Sequence, residues 1–364
     1  MADVFFAEGH TDGRAELLDV AVDDATLVTY CAKLELFVDW QTDTGGPPLT
    51  GADVYDRRLA EFFSKLCFDD DKLPHEAATT LSAVLHFRPE LHGHLPRAAR
   101  ALKAYRKLVR TPERATMSRR SLGAVIAALL LQGKVTTAVI VAYSFDIVGR
   151  GTQDWILVRA NDVHLPHHEQ EPIGITLGRS DRGERTKTGF DAGVVVKDTM
   201  VKAWIRSRVR LLRRAGRPDA KVFDMKPQHY RAEWLATLVA LHLPRETPHI
   251  IRHTAATELW ATARPQLTLR ELMVAGRWAS ESSVRRYTKP HLLAAHESIA
   301  QVAVLELGAA FWADTLGYMQ RGRVAAADRG PLADRGPSPG ADPLSGKVVR
   351  PMSGAKYRPG HSRN

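Results

Sequence analysis

Between residues 171 and 199 the sequence changes texture, and this limits the fold more than any other feature. Ile173-Gly174-Ile175-Thr176-Leu177 alternates with a period of two, and Gly193-Val194-Val195-Val196 is a second β-rich run. The polar, charged stretch between them makes the pair a β-hairpin, with Lys187 of Thr186-Lys187-Thr188-Gly189 near its tip. Most of the remaining sequence up to about residue 316 recurs at helical spacing. The expected class is therefore mostly α (α+β): an N-terminal four-helix bundle, then a mainly helical domain that carries a small antiparallel sheet.

The bundle is read from Leu27, Tyr30, Cys31, Leu34 and Phe37, then from helices over 52–68, 75–87 and 96–109, broken by Gly45-Gly46-Pro47-Pro48 and by turns at Pro74 and 88–95. Helices are expected next at 121–132, 134–147, 198–215, 231–241, 248–263, 269–274 and 290–316. The segment 155–163 is a strand or a helix end. At 364 residues the chain suits two domains with residues left over. The expected division is a disordered leader at 1–24, a helical domain at 25–112, a linker at 113–120, a second domain at 121–318 and a disordered basic tail at 319–364. The tail repeats Ala-Asp-Arg-Gly-Pro at 327–331 and 333–337 and lacks the apolar residues to fold. The helix at 290–316 carries Leu292, Leu293, Ile299, Val302, Val304, Leu305 and Leu307, which suits docking on a neighbouring protomer or packing on its own domain.

Lys and Arg number 51 against 41 Asp and Glu, with a pI near 9.7. A positive field of this kind favours a polyanionic partner, nucleic acid or an anionic membrane. The charge is not evenly spread. Arg97, Arg100, Lys103, Arg106, Lys107 and Arg110 recur at steps of three and four along one helix, and residues 97–120 hold nine Lys or Arg against one acid, Glu113. Like charges at that spacing repel, so a phosphate backbone is the natural counter-charge. The basic residues of 202–214 read instead as a solvated helix face, and His164, His167 and His168 as polar surface. No apolar run approaches membrane length; the longest spans 124–131. The two cysteines, Cys31 and Cys67, sit in helical text as buried free thiols, which suits a reducing compartment, and the N-terminus has no secretory pattern. The expected location is intracellular.

The most specific stretch is His249-Ile250-Ile251-Arg252-His253-Thr254-Ala255, on a helix that Thr247 can cap and Pro248 can open. His249 and Arg252, three apart, share a face. Gly276-Arg277-Trp278-Ala279-Ser280 and Ser283-Val284-Arg285-Arg286-Tyr287 follow, with Tyr287 placed 35 residues after Arg252. These residues resemble the tyrosine recombinases, the phage-integrase-like enzymes that break and rejoin DNA. The family signature runs arginine, hairpin lysine, His-x-x-Arg, His or Trp, tyrosine. The resemblance covers about residues 120–300 and assigns Arg150, Lys187, His249, Arg252, Trp278 and Tyr287. Counting back nine from the tyrosine gives Trp278; counting forward from Gly276 gives Arg277, which is taken here as a DNA contact. In the family an acid stands three residues after the first arginine, whereas here the acid is Asp154, four on from Arg150. Leu81-Ser82-Ala83 and Leu95-Pro96-Arg97 resemble a eukaryotic, mobile-element-like branch, which would place the protein in a nucleus.

The chemistry suits these residue types. Attack on a phosphodiester builds charge on its non-bridging oxygens, which two guanidinium forks match and offset. A phenol needs a base, and His249 is the candidate on the box helix besides His253. A lysine can protonate the leaving 5′ oxygen, and an indole can donate its N–H or buttress the tyrosine. His249 and His253 lack a third ligand at metal spacing. The expectation is a metal-independent, cofactor-free recombinase or integrase that acts on double-stranded DNA through a 3′-phosphotyrosyl intermediate. The resemblance implies a homo-tetramer on that DNA. A DNA-binding protein with a decayed active site and a type IB topoisomerase are the alternatives.

Overall fold

The structure, a computed structural model, describes residues 22–110, 115–186 and 189–328. The chain divides into two compact units at 113/114.

The first unit is built from α1 (Asp24–Asp43), α2 (Ala52–Phe68), α3 (Pro74–Phe87) and α4 (Pro96–Leu108). Asp23 caps α1 by accepting from the Thr26 N–H at 2.7 Å. Prolines open α3 and α4 where a missing N–H costs nothing. The core is Leu34, Phe37, Tyr55, Leu59, Phe62, Phe63, Leu102 and Tyr105. The start of α4 is capped from another helix: buried Asp56 accepts from the Arg97 and Ala98 N–H groups at 2.9 and 2.8 Å. That fixes which way α4 faces. Ala98, Leu102 and Tyr105 go inward, and all six cations from Arg97 to Arg110 stand exposed. Cys67 is buried and Cys31 half-buried, both free.

The second unit is arranged around two apolar helices, α5 (Arg119–Leu131) and α6 (Val135–Asp146). Both are buried nearly all round. A three-stranded antiparallel sheet follows: β1 (Val163–His164), β2 (Ile173–Leu177) and β3 (Ala192–Val196), in that order. The hairpin register pairs Ile173 with Val196 and Leu177 with Ala192. The remaining helices are α7 (Thr199–Arg214), α8 (Pro227–Ala240), α9 (Ile250–Thr262), α10 (Leu269–Gly276), α11 (Glu281–Arg285), α12 (Pro290–Ile299), α13 (Val302–Ala313) and α14 (Thr315–Asp328). No single helix among the described residues is long and apolar enough to cross a membrane.

Several sequence expectations need correction. The expected helix at 290–316 is three helices with breaks at Ala300–Gln301 and Asp314. α13 packs on α5 of its own unit, where Gly308 and Gly123 let the backbones meet: a Cβ on Gly123 would lie 2.8 Å from the Gly308 carbonyl. The expected tail begins too early. Residues 319–328 continue α14, because Met319 is buried and Gly322 sits against Leu130; residues 329–364 lie outside the described residues. Nor is the expected linker at 113–120 free. Thr116, Met117 and Ser118 are buried, and the Met117 N–H donates to Thr254 Oγ1 at 2.9 Å.

The basic face of α7 is partly inward, contrary to the solvated reading. Lys202 Nζ donates to the Gln170 carbonyl at 2.8 Å, and Arg213 Nη2 to the carbonyls of Ala160 and Val163 at 2.8 and 2.6 Å. These cations satisfy loop carbonyls that would otherwise be stranded. The N-cap position of α9 is His249, not Thr247, and no side chain caps it. Residues 155–163 are mostly irregular, with a single 3-10 turn at Ala160–Asp162.

Candidate active site

Two helix ends and the start of a third helix build the site. α6 ends in a turn in which Val148 takes φ 51°. A β-branched residue there is strained, and the turn aims the Val148 carbonyl at Arg252, whose Nη1 donates to it. α10 ends likewise, in Arg277 at φ 55°. Its last two carbonyls are divided between the two arginines: Gly276 O accepts from Arg252 Nη2 at 2.6 Å, and Arg277 O from Arg150 Nη2 at 2.9 Å. The negative ends of two helices thus face two guanidiniums, as their dipoles favour. Gly276 also lacks a side chain where the Trp278 ring folds back; a Cβ there would overlap the ring.

The ring of Trp278 lies 4.2 Å from Arg252 Cζ and 4.9 Å from the ring of Tyr287. The phenol oxygen of Tyr287 lies 3.4 Å from His249 Nε2. His253 stacks on the tyrosine ring at 4.1 Å. Thr257, one turn further along α9, holds the tyrosine backbone: its Oγ1 donates to Tyr287 O and accepts from the Lys289 N–H. Val148, Ala255 and Ala256 form the apolar floor beneath.

The electrostatics are lopsided. Arg252 is 3% exposed. Burial lowers its pKa to about 10; Tyr287 opposes that fall, Arg150 and Arg277 add to it, and Asp154 opposes it again. Burial pulls Arg150 down as well, against Asp154 and with Arg277. Asp154, 1% exposed, accepts from the Arg150 backbone N–H at 2.7 Å and from Arg277 Nη2 at 2.6 Å. The guanidinium of Arg277 bonds this carboxylate, and its charge also favours the charged forms of Arg150 and Arg252. An arrangement of this kind attracts a tetrahedral anion and stabilises added charge on it.

Of the residues singled out from sequence, the structure brings together Arg150, His249, Arg252, Trp278 and Tyr287. Lys187 lies outside the described residues; beside it, Thr186 and Gly189 pair across the hairpin. Arg97, Arg100, Lys103, Arg106, Lys107 and Arg110 belong to the other unit. Arg277, expected as a DNA contact, has a nine-tenths buried side chain that is ion-paired with Asp154. Sequence reading assigned no part to Thr257 and gave His253 no certain one; their spacing of four and eight from His249 placed them on the same face of α9.

No protein-family model matches the sequence, and no curated protein matches it. Solved structures do. The crystal structure of XerH site-specific recombinase bound to palindromic difH substrate, a post-cleavage complex, is 12% identical. It covers 75% of this chain and 79% of its own, with a TM-score of 0.52. The fold is that of a tyrosine recombinase. XerA recombinase is 16% identical over 76% of this chain and 92% of its own, at a TM-score of 0.38. A lambda integrase (75–356) dimer bound to a COC′ core site is 13% identical over 74% and 90%, at 0.44. In this recombinase fold, α9 carries His249 and Arg252 while the turn after α11 brings Tyr287 against them.

Proposed function

We propose that the protein is a site-specific DNA recombinase or integrase that cuts and rejoins strands through Tyr287. The observation that carries the reading is the phenol of Tyr287 set 3.4 Å from His249 Nε2, beside the buried Arg252 and with Arg150 close by. Arg150 and Arg252 would grip the non-bridging oxygens of a scissile phosphate. His249 takes the phenol proton as the oxygen attacks phosphorus. The P–O5′ bond breaks, Lys187 protonates the departing 5′ oxygen, and a 3′-phosphotyrosyl ester remains. Attack by a 5′ hydroxyl reverses each step and releases Tyr287. Trp278 buttresses both Arg252 and the tyrosine ring. These steps need no cofactor and draw on side chains alone, so adduct formation should survive EDTA.

The partner would be double-stranded DNA, bound through phosphate contacts that include Arg97, Arg100, Lys103, Arg106, Lys107 and Arg110. Arg100, Lys103, Arg106, Lys107 and Arg110 are exposed and make no ion pair among the described residues, which supports a polyanion as their counter-charge. The assembly on paired sites would be a homo-tetramer. The first unit would serve as the core-binding domain and the second as the catalytic domain.

The test is a covalent trap. Duplexes selected by binding from a random library are nicked beside the cleavage position, so that the released fragment diffuses away. The wild type should accumulate a protein–DNA adduct whose linked peptide contains Tyr287, and Tyr287→Phe should form none. Bound DNA without adduct would favour a binding protein with a decayed site. Relaxation of a plasmid bearing a single site would favour a topoisomerase.

A further inference from the structure

The mechanism leaves Arg277 without a task beyond its pair with Asp154. The geometry does not read as that of a simple brace. Asp154 takes one nitrogen, Nη2, at 2.6 Å. Nε and Nη1 are buried and have no hydrogen-bond partner among the described residues. A guanidinium normally places all five donors, and leaving charged N–H groups buried without acceptors is costly. The backbone is also unfavourable for this residue: φ is 55°, a left-handed conformation that suits glycine and strains an L-residue. The chain thus carries an arginine in a strained turn, desolvated and only partly satisfied.

What lies beside it is a cavity of about 670 Å³, walled by Arg277, Arg185, Arg270 and Trp278, with Gly189 at its hairpin edge. No acid lines it. Trp278 forms part of its wall, and the ring of Trp278 lies 4.9 Å from that of Tyr287, so the cavity adjoins the site that holds Tyr287. Two guanidiniums, Arg150 and Arg252, already suffice for the two non-bridging oxygens of one phosphate, and a third donor group requires a further acceptor.

We propose that Arg277, with Arg185 and Arg270, forms a subsite for the backbone phosphate adjoining the scissile one. Asp154 positions the guanidinium through Nη2, and Nη1, buried before DNA arrives, is the donor that turns to the phosphate when the strand enters. The subsite holds the strand in line across the tyrosine and contributes no proton. The inference rests on the proposed DNA cleavage for its place in the reaction, but its binding component can be read without cleavage.

The full-length protein serves for the test, with the duplex selected by binding. Removing Arg277 alone strands a buried carboxylate, so the variants are Arg277→Lys, which keeps the ion pair, and the double change Arg277→Gly with Asp154→Asn. Glycine suits the turn, and asparagine needs no counter-charge. Adduct formation by the double variant should slow about 100-fold, the scale of misplacing the reacting strand by about 1 Å. Replacing the adjoining phosphate by a neutral methylphosphonate should slow the wild type comparably and add little to the variant. A brace would give a defect indifferent to which phosphate is neutralised, and that result overturns the proposal. Arg277→Lys should recover at least ten-fold over the double variant; equal defects in both also count against it.

The salt dependence of DNA binding separates this inference from the cleavage reading. Loss of one phosphate contact makes the slope of log K against log salt shallower by about 0.9. A wild type that forms no adduct but loses that slope increment in the double variant sinks the nucleophile assignment and keeps the subsite. An unchanged slope sinks the subsite, whatever Tyr287 does.

Discussion

Replacing Asp154 by Asn isolates the electrostatics of the site, because the exchange is nearly isosteric. Oδ2 carries both hydrogen bonds, from the Arg150 N–H and Arg277 Nη2, while Oδ1 has no partner among the described residues. Asn can therefore set its oxygen where Oδ2 was and its amide where Oδ1 was, keeping both bonds and losing only the charge. At about 4 Å between charge centres and an effective dielectric of about 20, the pair with Arg277 amounts to about 4 kcal/mol. Arg150 and Arg252 feel the same carboxylate at greater range. Against this, the carboxylate no longer has to be desolvated. The net expectation is a loss of about 2–4 kcal/mol in urea unfolding, at or somewhat below the roughly 3–5 kcal/mol for breaking a buried pair, because both hydrogen bonds are kept. The second half of the experiment adds sulfate. A pocket of three uncompensated guanidiniums should bind it more tightly than the wild type, and an anion present at about 100 times its dissociation constant returns about 2.7 kcal/mol. Sulfate should therefore restore most of the variant's stability and raise that of the wild type less. A loss under about 1 kcal/mol would show that the three arginines are not mutually repelled. An equal response to sulfate in both proteins would place the anion elsewhere.

Three further outcomes are expected. Thr257→Val removes the hydroxyl that ties the backbone of Tyr287 to α9; adduct formation should slow at least ten-fold with DNA affinity unchanged, and an unaltered rate would show the tie to be idle. Gly308→Ala puts a Cβ into the Arg120 carbonyl and should cost about 3 kcal/mol in urea unfolding, as overpacking of a close helix crossing does; under about 1 kcal/mol would mean that α13 rides loosely on α5. Burial depresses the pKa of His296, against a smaller opposing effect of Glu297. The unfolded chain then binds the extra proton first, so wild-type stability should fall as pH drops below about 6.5 and level off under the folded pKa, while His296→Gln lacks that increment. Parallel pH curves for the two proteins would contradict this.

The parts of the molecule legible in the sequence are those whose signal is local. The hairpin is encoded by alternation over Ile173–Leu177 and 193–196, the bundle by apolar repeats between turn residues, and the sharing of one face by His249, Arg252, His253 and Thr257 follows from helical spacing. Where tertiary contacts decide, the sequence misleads. Residues 321–328 read as tail because Arg-Gly-Arg resembles the low-complexity stretch beyond it, yet the same glycine is what lets α14 lie against Leu130. The cations of α7 read as solvated because nothing local reveals that loop carbonyls at 160, 163 and 170 fold back over them.

Arg277 illustrates the limit most sharply. Its partner Asp154 is 123 residues away, and its left-handed conformation would suggest glycine to any local rule. The same holds for Val148 after α6. Both positions give up conformational ease, on the order of 1 kcal/mol each, and both direct a carbonyl of the turn at an arginine: Val148 O at Arg252 and Arg277 O at Arg150. At each place the strained residue also uses its side chain: Val148 packs in the apolar floor of the site, and Arg277 pairs with Asp154. The strain sits where two helix ends must point their last carbonyls at buried charge, as expected of a site whose geometry is set before its ligand arrives.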